Sequence, residues 1–247
     1  MIVIKTAREI ELMRVAGHAA SAARRAAGNA IEPGITTAEI DAIVKKTLKE
    51  YGAGASFYNY RGYPANACVS INNEVIHGIP GCRKINEGDI VKIDVGAVIS
   101  GYHGDTADTF IVGRVPKETE RLVEITKQSF YEGIKKAKAG NRISDISCAI
   151  GNYVEKNGYS TVRMFSGHGV GSKLHEDPEV PNFGRPGHGA RLVPGMTIAI
   201  EPMVNMGGYA VEIMPDGWLV KTSDNSLSAH YEHTVLITED QPELLTL

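Results

Sequence analysis

Apolar positions recur at helical spacing through the first fifty residues and at alternating spacing soon afterwards. The capping box Thr6-Ala7-Arg8-Glu9 is followed by Ile10, Met13, Gly17 and Ala20, which predicts an amphipathic helix running to about Asn29, ahead of Pro33-Gly34. A second capping box, Thr36-Thr37-Ala38-Glu39, leads into Ile40, Ile43, Val44, Thr47 and Leu48, and Gly52 is placed to end that helix. Pro116 opens a third helix extending to about Ala139, and a fourth runs from near Ser144 to Asn157, before Gly158. One constant offset aligns Gly34 with Gly140, Ile40 with Ile146, Val44 with Ile150, Leu48 with Val154 and Gly52 with Gly158. Two helices followed by strands, occurring twice, predict an α/β (α+β) fold: duplicated halves of a single domain, about 1–113 and 114–247, with antiparallel sheet and a cleft between them.

Between the helix pairs, Ile90 to Ser100 and Tyr102 to Val112 are rich in β-branched and aromatic residues, with Ser100-Gly101 as a two-residue turn. The expected element is an antiparallel hairpin. With Ile99 opposite Tyr102, Asp94 falls opposite Ala107 and Asp105 opposite Gly96. The two carboxylates then share a face as diagonal neighbours, with Cα atoms about 7 to 8 Å apart. Asp108 has the other parity and points away.

The second half repeats this oddity of carboxylates in apolar strands. "MTIAIEPMV" ends a strand on Glu201, which Pro202 holds extended, and "SAHYEHTVLIT" sets Glu232 inside another. "FSGHGVGSKLHEDPE" adds His168 between two glycines and His175 seven residues on. Ionised carboxylates inside a sheet are costly unless paired or bound to metal, and neither strand offers a Lys or Arg beside them. Four carboxylates, Asp94, Asp105, Glu201 and Glu232, with the His168 imidazole balance two divalent cations better than one, which predicts a dinuclear site. Oxygen-rich ligation with a single imidazole suits Mn, Fe(II) or Co at least as well as Zn.

Each carboxylate taken singly also fits a turn or capping role. His18 and His188 read as solvated; His103 and His230 share faces with Asp105 and Glu232 and read as supporting or structural; His233 faces away from Glu232. "HEDPE" lacks the spacing of a helical HExxH zinc motif, and Pro178 would break such a helix. No nucleophile elbow, P-loop or dinucleotide fingerprint is present. Cys68 reads as a packing residue.

Composition narrows the field further. A net charge of -3 and a pI near 6.2 supply no basic field for nucleic acid or acidic lipid. The three cysteines, Cys68, Cys82 and Cys148, form no CxxC pair and no even framework. No run approaches the roughly 18 apolar residues of a membrane span, and "MIVIKTAREIE" reaches charge too soon for a signal peptide. The expectation is a mature chain in a reducing cytoplasm.

"NACVSINNEVIHGIP", "DVGAVISGYHGDTADTF", "SGHGVGSKLHEDP", "IEPMV" and "DGWLVKTSDNSLSAHYEHT" stand in order along nearly the whole chain. In these segments the chain resembles the type 1 methionine aminopeptidases, compact enzymes of pita-bread fold. The resemblance implies that Asp94, Asp105 and Glu232 hold one metal, and Asp105, His168, Glu201 and Glu232 the other. It further implies that His77 contacts substrate near the scissile amide nitrogen, that His175 hydrogen-bonds the carbonyl oxygen, and that Glu201 moves the proton. Tyr60, Tyr63, Cys68, His77 and Trp218 would line the methionine pocket, although Trp218 after Asp216-Gly217 also fits a plain turn anchor. Leu174 and Gly96 stand where some relatives carry an aromatic and a hydroxyl-bearing residue. The implied activity is removal of initiator methionine from nascent chains, near the ribosome, when the next residue is small, by a cytoplasmic monomer. The amino-terminal zinc-binding extension used for ribosome targeting in some relatives is not found in the sequence. The rivals are an Xaa-Pro aminopeptidase or prolidase of the same fold, and a non-catalytic pita-bread binding protein.

Overall fold

The hairpin forms in the register the turn dictates. The computed structural model describes residues 1–247. Ile90–Ile99 pairs antiparallel with Tyr102–Ile111, with Ile99 opposite Tyr102, Asp94 opposite Ala107 and Gly96 opposite Asp105. Ser100 and Gly101 both have positive φ, 51° and 80°, the backbone a tight two-residue hairpin turn needs.

That hairpin is part of a nine-stranded sheet. Gly54–Ala55 and Cys68–Ile71 pair with Ile90–Ile99 on one side. On the other side Tyr102–Ile111 joins Glu232–Leu236, which joins Thr197–Ile200, then Gly167–Gly169 and Glu176–Val180. Glu243–Leu244 adds to the far end of Glu232–Leu236. Every strand pair is antiparallel, as the recurring hairpins predict. Two three-stranded sheets complete the fold, one of Ser160–Thr161, Met203–Asn205 and Ser228–His230, the other of Glu74–Ile76, Val211–Ile213 and Val220–Thr222.

Four helices pack outside. Helix α1 is Ala7–Asn29 and α2 is Thr37–Glu50, each opened by its capping box. Reciprocal bonds join Thr6 N to Glu9 Oε2 at 2.7 Å and Thr36 N to Glu39 Oε2 at 2.8 Å. Helix α3 is Lys117–Ile134 and α4 is Ile143–Lys156. The offset that aligns the sequence segments also aligns α2 and α4, both of 14 residues. Ile40, Val44 and Leu48 are buried in one, and Ile146, Ile150 and Val154 in the other.

Helix α3 stops short of the expected Ala139. After Ile134 the chain turns so that Ala137 enters the core, and Gly140, at φ 91°, donates to the Leu192 carbonyl at 2.9 Å. Pro116 precedes the helix as its cap, and α4 begins at Ile143 because Asp145 accepts from Arg142 N at 2.7 Å.

The helix layer decides which sheet face is free for chemistry. Val91, Ile93, Val95 and Ala97 join Ala19, Ala20, Ala23 and Ala27 of α1 in one apolar cluster. The alternate positions, Lys92, Asp94 and Gly96, therefore face the opposite side. Helix α1 lies so close that a Cβ on Gly104 would meet the Gly17 backbone at 2.6 Å. An apolar hairpin carries carboxylates because each face of its strands meets a different environment.

Candidate metal centre

Strand register places the five predicted ligands in two adjacent rows on the face away from α1. Asp94 and Glu232 are each opposite Ala107, from either side, and Cys68 is opposite Asp94. Extending the pairing of His233 with Ile200 by one residue brings Glu201 beside Glu232. In the next row Asp105 neighbours Thr234, and His168 lies beyond Ala199 by the same continuation. Two rows of period-two neighbours thus converge groups from positions 94 to 232 of the chain.

The converging side chains line a cavity of about 390 Å³. Asp105, His168 and Glu232 offer ligand atoms mutually within 4.8 Å, as do Glu201, His230 and Glu232. His168 Nε2 is 4.0 Å from Asp105 Oδ2. His168 Nδ1 donates to the Gly169 carbonyl at 2.9 Å, which leaves the Nε2 lone pair directed at the carboxylates.

Burial pushes the Asp105 carboxyl up to about 7, and burial reinforced by neighbouring carboxylates holds Asp94, Glu201 and Glu232 well above the usual range. Burial also lowers His168 to about 4, so its imidazole is neutral at pH 7, as a ligand must be. Asp94 Oδ1, Asp105 Oδ1 and Glu232 Oε1 are buried with no hydrogen-bond partner. The nearest buried guanidinium, Arg24 of α1, bonds Thr106 Oγ1 at 2.6 Å on the other face of the sheet. Orphaned carboxylate oxygens and a neutral imidazole fit a divalent cation; without one the carboxyl groups hold protons instead of standing as unpaired charge in a low-dielectric space.

Around the carboxylates the cavity wall is aromatic and soft. Tyr60, Tyr63, Cys68, His77, Leu174, His175 and Trp218 all line it. Tyr63 meets Trp218 edge-on at 5.1 Å between ring centroids, and Tyr60 stacks on His175 at 5.1 Å. His175 also lies over His168, at 4.0 Å between rings. Trp218 both belongs to a turn and lines the cavity. Asp216 Oδ1 accepts from Trp218 N at 2.9 Å to form the turn, and the indole faces the cavity. Cys68 likewise packs in an apolar group with Tyr63 and Leu174 and forms part of the wall.

His77, a loop histidine by its local sequence, is held at φ 60°, a strained conformation for a residue with a side chain. Phe165 and Trp218 contact its ring edge-on at 5.8 and 6.3 Å, and burial lowers it to about 4. Next to it, the backbone of Gly78 fits only without a Cβ, which would approach Val69 O to 2.2 Å. Tyr63 OH donates to the Gly78 carbonyl at 2.9 Å and fixes that corner.

The remaining histidines lie in different surroundings. His18 and His188 are exposed. His103 pairs with Ser56 Oγ at 2.8 Å away from the cavity, and His233 lies on the far face with Tyr231 and Thr246. His230 is different: it lines the cavity, with Nε2 3.7 Å from Glu201 Oε2 and 3.9 Å from Glu232 Oε2. Its shared parity with Glu232 is legible in the sequence, but its approach to Glu201 is not. Met164, Phe165 and Phe57 also line the cavity and carry no local signal of it.

Residues 11–239 match metallopeptidase family M24. The chain belongs to that family. A methionine aminopeptidase of Clostridium perfringens is 52% identical over 247 residues, covering 100% of this chain and 99% of that protein. Methionine aminopeptidase 1 of Bacillus subtilis is 47% identical over 246 residues, at 100% and 99% coverage. Among solved structures, the methionine aminopeptidase of Thermotoga maritima superposes with a TM-score of 0.98 at 46% identity, covering 100% of this chain and 99% of that one. The prolidase of Pyrococcus furiosus superposes with a TM-score of 0.80 at 26% identity and is covered over only 65% of its length. The pita-bread architecture is common to both sets.

Proposed function

We infer that this M24 chain is a metal-dependent methionyl aminopeptidase that removes the initiator methionine from nascent chains whose second residue is small. The observation that carries this reading is the convergence of Asp94, Asp105, His168, Glu201 and Glu232 beside an aromatic, sulfur-lined recess, in a chain matched end to end by methionine aminopeptidases. Two pseudo-symmetric halves, meeting where Tyr102–Ile111 joins Glu232–Leu236, supply the ligands. No helix is long and apolar enough to cross a membrane. A cytoplasmic monomer acting near the ribosome accords with that reading.

In the proposed centre, Asp94, Asp105 and Glu232 hold one ion, and Asp105, His168, Glu201 and Glu232 hold the other. Bound divalent ions of the Mn, Fe(II), Co or Zn type supply water activation at neutral pH and a point of attachment for the free α-amine of the substrate. The protein's own groups do the rest. Tyr60, Tyr63, Cys68, His77 and Trp218 receive the methionine side chain, whose thioether suits soft and aromatic surroundings. His175, at the cavity wall, donates to the scissile carbonyl oxygen as negative charge develops there. His77 lies by the amide nitrogen and orients it. Glu201 accepts a proton at a carboxylate oxygen and delivers it to the departing amine.

Placing the free amine beside the carboxylates restricts cleavage to one residue from an N-terminus. Comparing hydrolysis of Met-Ala-Ser with that of an Xaa-Pro peptide tests the reading. Methionine release is expected to dominate, and preferential Xaa-Pro cleavage would move the chain to the prolidase branch.

A further inference from the structure

His230 is the cavity histidine left without a role, and both of its ring nitrogens are buried with no hydrogen-bond partner. Its neighbours explain why it sits there. Along the seam between Tyr102–Ile111 and Glu232–Leu236, ladder pairing covers only Ala107 with Glu232 and Thr106 with His233. At each end a threonine hydroxyl closes the gap. Thr234 Oγ1 accepts from Asp105 N and donates to Asp105 O, both at 2.9 Å. Thr109 Oγ1 accepts from His230 N at 2.9 Å and donates to His230 O at 2.8 Å. One offset along the chain maps Asp105 onto His230, Ala107 onto Glu232 and Thr109 onto Thr234. His230 therefore occupies, in the second strand, the place that Asp105 occupies in the first, with its backbone clasped in the same way.

The distances match as well. His168 Nε2 is 4.0 Å from the Asp105 carboxylate, and His230 Nε2 is 3.7 and 3.9 Å from those of Glu201 and Glu232. Two donors about 2.1 Å from a shared ion stand at most about 4.2 Å apart, so both histidines have the span of ligands. At 3.7 Å or more neither contact is a direct hydrogen bond.

We propose that His230, through Nε2, is a further protein ligand to the ion held by His168, Glu201 and Glu232, so that the centre carries two imidazoles for its two ions, with Thr109 positioning His230 as Thr234 positions Asp105. This rests on the proposed dinuclear centre and adds a ligand to it. A second nitrogen donor makes the centre less purely oxygen-ligated and raises its affinity for Zn, Co and Fe(II) relative to Mn.

The test is calorimetric binding of Mn²⁺ and Zn²⁺ to chelator-treated wild type, His230→Gln, Thr109→Val and Thr109→Ser, with His103→Gln as control. Thermal melts without metal report folding. His230→Gln should weaken one of two binding steps about tenfold or more, with the larger loss for Zn²⁺, while His103→Gln binds as wild type. Thr109→Val should weaken the same step and Thr109→Ser restore it. Independently, X-ray absorption of the zinc-loaded wild type should count about one imidazole per ion; a count of one imidazole per two ions overturns the proposal whether or not the variants fold. Wild type that binds no divalent ion sinks the metal centre itself. Wild type that binds two ions, alongside a folded His230→Gln of unchanged affinities, rejects only the role given to His230.

Discussion

Asp94 and Glu232 flank Ala107 from opposite strands, each its direct cross-strand neighbour, so a single methyl group separates two carboxylates. The small side chain keeps the floor of the centre low and leaves the ligand oxygens room to converge above it. Ala107→Leu should fill that space. The expected outcome is a loss of Mn²⁺ affinity of about tenfold or more, with the protein still folded, read by calorimetry beside a thermal melt. Unchanged affinity would show that the space above Ala107 is not where cations sit.

Glu201→Gln keeps the shape of the side chain and removes its capacity to carry a proton. General base function is worth about 10²- to 10⁴-fold in rate. Turnover of Met-Ala-Ser should fall by that order while the melting temperature stays within a few degrees of wild type. Near-normal turnover in a folded variant would reject Glu201 as the base.

Metal binding should release protons. Burial pushes Asp105 up to about 7 and holds Asp94, Glu201 and Glu232 well above the usual carboxylate range, so without metal these groups keep protons that a cation must displace. Affinity for Mn²⁺ should therefore rise from pH 6 to pH 8. The sign for the metal-free fold is opposite. A raised Asp105 binds its proton more tightly folded than unfolded, so its contribution to stability is full below about pH 4 and is lost as pH climbs to about 7. Calorimetry in buffers of differing ionisation enthalpy measures the protons released; pH-independent affinity with no release would contradict the assignment.

Gly96 bears on the shape of the pocket. A Cβ there would lie 2.7 Å from Ser56 Cβ and 2.8 Å from Phe57 Cε1, and Phe57 lines the cavity. Gly96→Ser should cost about 1 to 3 kcal/mol by overpacking and raise KM by displacing Phe57. Denaturant unfolding and steady-state kinetics check the two effects; a neutral substitution would show that the Ser56–Phe57 segment yields freely.

The hairpin and its two aspartates were legible because a two-residue turn fixes register, and register fixes the face of every side chain. Helices α1 and α2 announced their starts through Thr6/Glu9 and Thr36/Glu39. The end of α3 did not show, since the turn that follows it buries Ala137 and bonds Gly140 to Leu192, contacts that are remote in sequence. The three-residue strands, such as Glu74–Ile76 and Val220–Thr222, are too short for periodicity to mark. Family resemblance supplied His77, whose surroundings, Phe165 and Trp218, come from distant segments. Parity put His230 on the face of Glu232, but only the packing of Glu201 against it from a third strand shows an imidazole among carboxylates.

The account stands on buried carboxylates from four strands sharing divalent cations. Anomalous diffraction from crystals grown with manganese measures that most directly. Two peaks about 3.5 to 4 Å apart, within coordination distance of Asp94, Asp105, His168, Glu201 and Glu232, are the predicted result; a cavity with no anomalous density among those five side chains would contradict it.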